Sequence, residues 1–434
     1  MNFIRKLSVA IPTGNMTIAF DVGKKSLNYY FETPGNLKGP TVAEIKAARG
    51  DFPNTTQCVI TELQRLHSFA LSQGFSGIHV ICEPTGSYSN CLMQTARRLG
   101  YTTAWVSGER VHKAKVIENG DTGKDDIKDP RVILLLSQMR KEQRYRILPP
   151  EFKHIRDLNR MIEDAEAHCV ELKGQIHHLV TRLFCDFPLS KDFIYSKSGK
   201  ALMEQYHFSP YRITAHTMQT FSRTVGAAAP GVRFNTIARL YGAAKWSALH
   251  CLHPLEQQIL EQRLLDAWYD WERYNERRLQ LRSQIEQAYN MLSTADSMIP
   301  VPDNKVFTKV HIARILGETG PLSDFQNSRM LLKYGGLNLR TRESGAHKGK
   351  LRISKKGRIP LRALLGKMAF GQVRKNRTFG AYYHSRKSDK IPGAKIIAAV
   401  ERKLLKIFFA LAKSKSAFNA FRVSQCESQY KLAA

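Results

Sequence analysis

The stretch that decides the fold is MTIAFDVGKKSLNYYFET, residues 16–33. Its first half is an apolar run that ends at Asp21, and its second half, SLNYYFE, has the aromatic content of a β-strand. A Gly-Lys-Lys turn separates the two halves. The pattern predicts a β-hairpin at the edge of a sheet, with a carboxylate at the end of its first strand.

Strands and helices alternate after this hairpin. Helical spacing over 55–73 precedes a short apolar run, IHVIC at 78–82, of the kind found in buried parallel strands. Helical patterns over 90–99 and 129–140 flank another strand-like segment, TTAWV at 102–106. Strands that alternate with helices predict an α/β layer domain.

The rest of the chain predicts mostly helices. Residues 151–185 and 254–293 are long, charged and helix-periodic, as in the arms of a helical hairpin or coiled coil, although their heptads are not strict. An insertion without a clear pattern lies between them, near 186–253. The predicted division is an α/β domain, a helical region, a mostly helical C-terminal domain and a tail: 1–145, 146–294, 295–420 and 421–434.

An apolar stripe marks the second long helical segment. It comprises eight large apolar residues: Leu255, Ile259, Leu264, Trp268, Trp271, Leu279, Ile285 and Leu292. Their helical spacing indicates a face that packs against other helices, and we interpret the stripe as packing.

Charge is the strongest global signal. Lys and Arg number 67 against 37 Asp and Glu, a formal net charge of +30. Such an excess favours a polyanionic partner, and nucleic acid is the usual one because each neutralised phosphate releases counterions. A basic face on an anionic membrane and a ribosome-bound structural protein are the alternatives. The sequence contains no run of 18 or more apolar residues, so no membrane span is predicted.

Seven cysteines are scattered along the chain: Cys58, Cys82, Cys91, Cys169, Cys185, Cys251 and Cys426. None forms a CxxC pair or a Cys/His cluster at zinc spacing. We expect reduced and mostly buried thiols, as in a cytosolic protein.

Four acidic residues stand where an α/β sheet gathers functional groups. Asp21 and Glu83 each end a predicted strand, and Asp126 and Asp129 begin a helical run at i, i+3 spacing, which lies on one helix face. Four carboxylates in one place repel unless cations lie among them, and hard oxygen ligands suit Mg²⁺ or Mn²⁺. Two such ions can hold the attacking and leaving oxygens of a phosphodiester. Each acid alone is also a normal turn or cap residue, and Asp125 competes with Asp126 as a ligand.

Ser344, in Arg342-Glu343-Ser344-Gly345, is a candidate nucleophile. Its hydroxyl needs activation, and the adjacent glycine permits close approach of a phosphate. Nearby cations predicted to bind nucleic acid are Lys348, Lys350, Arg352, Lys355, Lys356 and Arg358. The alternative is that Ser344 is a turn residue. Ser354 is a rival serine, which we interpret as the N-cap of the helix that follows.

The motifs of the chain resemble those of the DEDD-type insertion-sequence transposases, whose members include the bridge-RNA-guided recombinases. The matching stretches are IAFDVGKKSL, HVICEPTGSY and GKDDIKDPRV near the front, and RESGAHKGKLRISKKGRIPLRALL near the back. The resemblance covers roughly 16–140 and 295–415. It implies a RuvC-like (ribonuclease H-like) N-terminal domain, a coiled-coil middle and a C-terminal transposase domain. The family often has a KTDxxDA-like string, where this chain has KDDIKDP at 124–130.

The resemblance also implies how the site residues act. Asp21, Glu83, Asp126 and Asp129 would bind Mg²⁺ or Mn²⁺, and Ser344 would attack DNA and form a transient phosphoserine link. Serine and carboxylates would come from different protomers of a dimer that pairs into a tetramer. A structured guide RNA would be a partner, gripped through its shape and phosphates. Such a protein is expected in the bacterial cytoplasm, at the nucleoid.

Two other functions remain as alternatives. A RuvC-like junction resolvase would cut DNA with metal alone and without a serine step. A non-enzymatic DNA- or RNA-binding protein would bind in a salt-sensitive way that survives loss of all four carboxylates.

Overall fold

The fold is taken from a computed structural model. It describes residues 14–32, 49–119, 128–250, 254–295, 298–340, 343–344, 347–348, 352–375 and 377–421. The chain divides into two compact units, Met1–Ile147 and Leu148–Ala434.

The first unit is built on a six-stranded mixed sheet with the order β3-β2-β1-β4-β5-β6. The strands are β1 Met16–Val22, β2 Ser26–Phe31, β3 Arg49–Pro53, β4 Ile78–Cys82, β5 Thr102–Trp105 and β6 Gln143–Arg144. β4 runs parallel to β1, and β5 runs parallel to β4, whereas β2, β3 and β6 are antiparallel to their neighbours. This mixed sheet is consistent with the expected RuvC-like domain.

The predicted hairpin is confirmed, but its predicted place at the sheet edge is wrong. β1 and β2 pair in register from Ile18↔Phe31 to Val22↔Leu27. β3 covers the outer side of β2, and β4 covers the other side of β1. The hairpin is therefore interior, which explains why both of its strands are so apolar.

Helices cover both faces of this sheet. They are α1 Thr56–Ser72, α2 Ser89–Arg98, α3 Gly108–Asn119 and α4 Lys128–Gln138. One face packs Ile18 and Phe20 against Val59 and Leu63 of α1. Alternate residues point the other way, so that Ala19, Ile81 and Ala104 pack against Val132 and Ile133 of α4. The layered α/β arrangement expected from the alternating pattern is thus present.

Two long helices dominate the second unit. They are α5 Pro150–Leu183 and α10 Pro254–Ala295, which pack against each other. Early α5 residues, such as Ile155, lie in one core with late α10 residues, such as Ile285. Late α5 residues, such as Leu179, lie in a second core with early α10 residues, such as Leu264. The pair therefore connects two separate cores, and whether it is a coiled coil stays a prediction.

The segment between the long helices is itself helical. It contains a 3-10 helix at Lys191–Tyr195 and four α-helices: α6 Lys197–Tyr206, α7 Pro210–Thr214, α8 Met218–Ala228 and α9 Phe234–His250. Their apolar side chains, among them Phe208 and Phe221, fill the second core. The insertion is thus a folded helical cap on one end of the long pair.

The predicted apolar stripe on α10 is only partly correct. Leu264, Trp268, Trp271, Ile285 and Leu292 are buried. Three of the stripe residues are more than half exposed: Leu255, Ile259 and Leu279.

The C-terminal part combines helices with a short β-ribbon. Its α-helices are α11 Lys309–Thr319, α12 Ser328–Tyr334, α13 Ile359–Lys375, α14 Arg377–Ser388 and α15 Gly393–Ser414, and a 3-10 helix spans Leu322–Asp324. We use β-ribbon for two short two-stranded sheets in this segment, which pair β7 Leu339–Arg340 with β10 Arg352–Ile353 and β8 Glu343–Ser344 with β9 His347–Lys348. α11 crosses α5 so closely that a Cβ on Gly317 would lie 2.7 Å from Cγ2 of Ile155.

The described cysteines Cys58, Cys82, Cys91, Cys169 and Cys185 are all free thiols, as expected. Only Cys82 and Cys169 are buried, so the expectation of mostly buried thiols is wrong for this set. None of the helices in the described ranges has the length and apolar character needed to cross a membrane.

Candidate functional site

Asp21 and Glu83 lie side by side at the carboxyl ends of β1 and β4, which together form one edge of the first unit's sheet. Phe20 of β1 pairs with Cys82 of β4 in a parallel ladder, and each carboxylate belongs to the next residue along its strand. Parallel strands end at the same edge, so the sequence order of strand and acid brings these two residues together. Both acids are partly exposed at this edge.

The buried thiol of Cys82 senses both carboxylates. Burial raises the pKa of Cys82 above its ordinary value, and the charges of Asp21 and Glu83 raise it further. A thiolate is disfavoured next to negative charge, and both carboxylates lie near enough to Cys82 to act on its pKa. The site therefore concentrates negative charge at the ends of β1 and β4.

The start of α3 fixes the position of Glu83. A Cβ built on Gly108, the first residue of α3, would lie only 2.2 Å from Oε1 of Glu83. The carboxylate thus rests against a residue that has no side chain, at the electropositive end of a helix. Sequence reasoning missed Gly108, because nothing in its surroundings marks it as a contact of Glu83.

Asp129 stands in the first turn of α4, a helix that packs on β1. Its carboxylate forms an ion pair with the ammonium group of Lys115 on α3. Lys115 is only 8% exposed. It is a second site residue that the sequence did not reveal, because a lysine in a helical run carries no mark of burial.

The other two candidate ligands cannot be placed. Asp126 and its competitor Asp125 lie outside the described residues. Within the described ranges no group of three or more His, Cys, Asp or Glu side chains is arranged to hold a metal ion. Among the described residues, the predicted tetrad is therefore represented by a carboxylate pair, Asp21 and Glu83, and by an Asp129 that pairs with a lysine and does not join them in a group of three.

The donor chemistry of this site fits a divalent cation. Two carboxylates with partial exposure offer hard oxygen ligands, as Mg²⁺ and Mn²⁺ require. The ammonium of Lys115 already provides positive charge at Asp129.

Ser344 belongs to β8, a two-residue strand of the second unit. β7 pairs with β10 through Arg340↔Arg352, and β8 pairs with β9 through Ser344↔His347. Only two residues separate Ser344 from His347. Its backbone is described within β8.

Ser354, the rival serine, is tied to the base of the same ribbon. Its hydroxyl forms a hydrogen bond with Oδ1 of Asn338 at 2.5 Å, and its amide donates to the carbonyl of Asn338 at 2.8 Å. The predicted N-cap role is wrong, because α13 begins five residues later, at Ile359. The structure instead gives Ser354 a role in holding the ribbon to the preceding turn.

The predicted nucleic-acid cations differ in their surroundings. Arg352 and Lys355 are exposed, and so is Lys356. Arg358 donates from Nε to Oε2 of Glu318 at 2.8 Å, and Glu318 is only 2% exposed. Of the other two, Lys348 belongs to β9 and Lys350 lies outside the described residues.

Glu318 anchors a buried polar network that sequence reasoning also missed. Asn159 of α5 donates from Nδ2 to Oε1 of Glu318 at 3.1 Å. Arg156 donates to the carbonyls of Gly317 and Glu318 at 2.9 and 2.7 Å. A buried carboxylate needs such partners, so Arg358 contributes to the fold, and its predicted DNA contact stays a prediction.

Comparison with known families agrees with the motifs. A family model described as "Transposase IS116/IS110/IS902 family" matches residues 305–384, which include Ser344. A second model, of the DEDD transposase of IS110 type and described as "Transposase", matches residues 42–185, which include Glu83 and Asp129. A search of curated proteins found no match. The two family matches together cover more than half of the chain, and the chain therefore belongs to the IS110 family of DEDD-type transposases, enzymes that transpose DNA.

Proposed function

We propose that the chain cuts and rejoins DNA as a site-specific recombinase of a mobile insertion element. Its chemistry would combine a metal-binding carboxylate site in the first unit with a serine nucleophile in the second. The observation that carries the proposal is the placement of Asp21 and Glu83 at adjacent ends of parallel strands. Divalent metal bound there would supply Lewis-acid stabilisation of phosphodiester oxygens.

The carboxylate residues have separate tasks in this proposal. Asp21 and Glu83 would hold the cation, and Gly108 leaves room for the Glu83 carboxylate against the start of α3. Asp129, with Asp126, would complete the ligand set once Lys115 releases it. Lys115 then remains as a buried positive charge beside the site.

Ser344 is the proposed nucleophile. Its hydroxyl oxygen would attack the phosphorus of a backbone phosphodiester, and the bond from phosphorus to the leaving strand would break. The hydroxyl proton passes to solvent or a base, and the leaving strand end takes up a proton as a free hydroxyl. Attack by a second strand end reverses these changes and releases the serine. The Ser354 hydroxyl is already engaged in a hydrogen bond with Asn338, which supports Ser344 as the better candidate for the nucleophile.

The wider assembly belongs to the same proposal. A structured guide RNA would select target and donor sequences by base pairing. Two duplexes must be cut, so we propose a dimer that pairs into a tetramer, with composite sites from different protomers. The excess of positive charge supports contacts with both nucleic acids. The site of action would be the bacterial nucleoid.

A recombination assay in cells tests the chemistry. One plasmid carries the element junction and another carries the target, and joined product is counted. Asp21→Asn and Ser344→Ala should each reduce joined product to background. Asp51→Asn, at an exposed position on β3, is the matched control for the carboxylate and should keep activity.

The serine step has an independent readout. A DNA-linked protein band that survives denaturing electrophoresis should form with wild type and disappear with Ser344→Ala. If Ser344→Ala keeps full activity while Asp21→Asn is inactive, the serine step is wrong and the metal-only resolvase takes its place. If both variants keep activity, the whole proposal fails.

A further inference from the structure

A cavity of about 90 Å³ lies between α5, α10 and α11 in the second unit, and three arginines line it. Arg278 and Arg282 come from α10, and Arg314 comes from α11. A site of roughly 10–15 Å³ already holds one water molecule, so this cavity has room for a larger polar group.

The balance of charge around the cavity is positive. Glu166 is the acidic residue of the lining, and Glu163 lies beside it. Both carboxylates are engaged by the same two cations, Arg314 and Lys367. Four cations therefore surround two carboxylates, and the charges of Arg278 and Arg282 are left over.

Two guanidinium groups at the cavity have unused donors. The Nε atoms of Arg278 and Arg314 are buried and have no hydrogen-bond partner among the described residues. The side chain of Arg314 is only 9% exposed. A buried N–H without an acceptor is costly, and three arginines in one place repel, so the cavity favours an anion with several acceptor oxygens.

His311 lines the cavity and offers a neutral ring to a bound anion. Burial and the neighbouring charges of Arg314 and Arg282 lower the pKa of His311 to about 4, so its ring is neutral at neutral pH. Its Nδ1 lies 3.2 Å from the hydroxyl of Thr308. His311 therefore adds no positive charge to that of the arginines.

We propose that this cavity is a phosphate-binding site, formed by Arg278, Arg282 and Arg314, that holds a backbone phosphate of the bound nucleic acid. Guanidinium groups match the geometry of phosphate oxygens and keep their charge at all relevant pH values. The choice of nucleic acid over free phosphate as the source rests on the proposed function. The site lies on the helical pair, away from both the carboxylates and the β-ribbon in the sequence.

The first test uses inorganic phosphate as the probe. At constant ionic strength, phosphate should raise the Tm of the full chain above its value in chloride, measured by tryptophan fluorescence. Arg282→Gln should remove most of this rise. Arg282 is exposed, so its loss should leave the fold intact. Arg277→Gln, on an exposed neighbour that does not line the cavity, should respond like wild type.

The second test identifies the source of the phosphate. Binding of a fluorescent DNA duplex and of an RNA hairpin is measured over a range of salt concentrations. In Arg282→Gln, the loss of one phosphate contact should weaken binding about tenfold. It should also lower the slope of log K against log salt by about 0.9 for duplex DNA. A lower slope with one nucleic acid assigns that partner, and an unchanged slope with both assigns free phosphate.

The inference is overturned if phosphate does not raise the Tm of wild type, or if Arg282→Gln and Arg277→Gln respond alike. These results do not depend on transposition. A failed recombination assay with an intact phosphate response would instead contradict the proposed chemistry and leave the cavity as an anion site.

Discussion

At the scale of single residues, Gly108 offers the sharpest test of the carboxylate site. In Gly108→Ala the new methyl group would lie 2.2 Å from Oε1 of Glu83, so the flexible Glu83 carboxylate must move. We expect an unchanged fold and a recombination activity lower by about 10- to 100-fold, because small misplacements of catalytic groups have effects of that size.

The matched control is Gly174→Ala in the middle of α5, where a Cβ meets nothing within 4 Å. It should keep full activity and gain about 0.5–1 kcal/mol of unfolding free energy. Equal activity of the two variants would show that the Glu83 carboxylate is not needed where the structure places it.

Glu401 predicts a pH effect on stability. This residue of α15 is 9% exposed, and burial raises the pKa of Glu401 from 4.5 to about 7, against the opposing charge of Arg362. The folded state thus holds the proton more tightly than the unfolded state. The stabilisation is complete below pH 4.5 and is lost as the pH rises through 7.

Glu401→Gln keeps the neutral shape and removes this dependence. At pH 8 the variant should exceed wild type in unfolding free energy by up to about 3 kcal/mol, and the two should converge near pH 4.5. Denaturant titrations at both pH values measure the difference. Glu286→Gln, at an exposed position on α10, should show no such pH-dependent difference in unfolding free energy from wild type.

The residues of the site differ in how well sequence alone could predict them. Asp21 and Glu83 could be placed together because strand ends and parallel pairing follow from short apolar runs. Lys115 and Gly108 could not, because their roles depend on how α3 lies over the strand ends. The ion pair of Arg358 could not be predicted either, because its partner Glu318 lies 40 positions earlier in the chain.

At the scale of elements, the base of the β-ribbon depends on a close backbone crossing. A Cβ on Gly357 would lie 2.3 Å from the amide nitrogen of Gly336 and 2.4 Å from the carbonyl oxygen of Tyr334. Since backbone atoms cannot give way cheaply, Gly357→Ala should lower the unfolding free energy by about 1–3 kcal/mol. Gly371→Ala in α13, with open space around it, is the control, and denaturant titration measures both.

Helix α10 shows what periodicity can and cannot predict. Its ends follow from the pattern to within about two residues, but its buried face changes along its length. Leu260, Leu264 and Trp268 pack in the core of the helical cap. Leu281 and Ile285 pack in the other core, together with Ile155 of α5. A single stripe drawn through both halves therefore includes residues that face solvent.

Two isoleucines of α10 test this division of the helix. Ile285 is fully buried, whereas Ile259 is 63% exposed. Ile285→Ala should cost about 2–5 kcal/mol of unfolding free energy, and Ile259→Ala should stay within about 0.5 kcal/mol of wild type. Similar losses in both variants would mean that Ile259 is covered in solution.

At the scale of the whole molecule, the insertion was the part least accessible from sequence. Its helices are short, and their packing against the ends of α5 and α10 is long-range information. Local signals were nevertheless present. Ser196, Ser209 and Thr217 each accept a backbone amide as N-caps of α6, α7 and α8. These caps mark where helices begin, but not that they share one core.

The net charge of +30 predicts that DNA binding and DNA cutting can be separated. Asp21→Asn combined with Glu83→Gln removes two negative charges from a partly exposed edge of the first unit. Binding of a DNA duplex should therefore be unchanged or up to a few-fold tighter, with the same steep salt dependence, because phosphates no longer meet carboxylates. Recombination in the same variant should fall to background. Fluorescence anisotropy at several salt concentrations, beside the plasmid assay, measures both. Weaker binding by this variant would mean that the carboxylates hold DNA through a bound cation, and unchanged recombination would mean that these two carboxylates take no part in the chemistry.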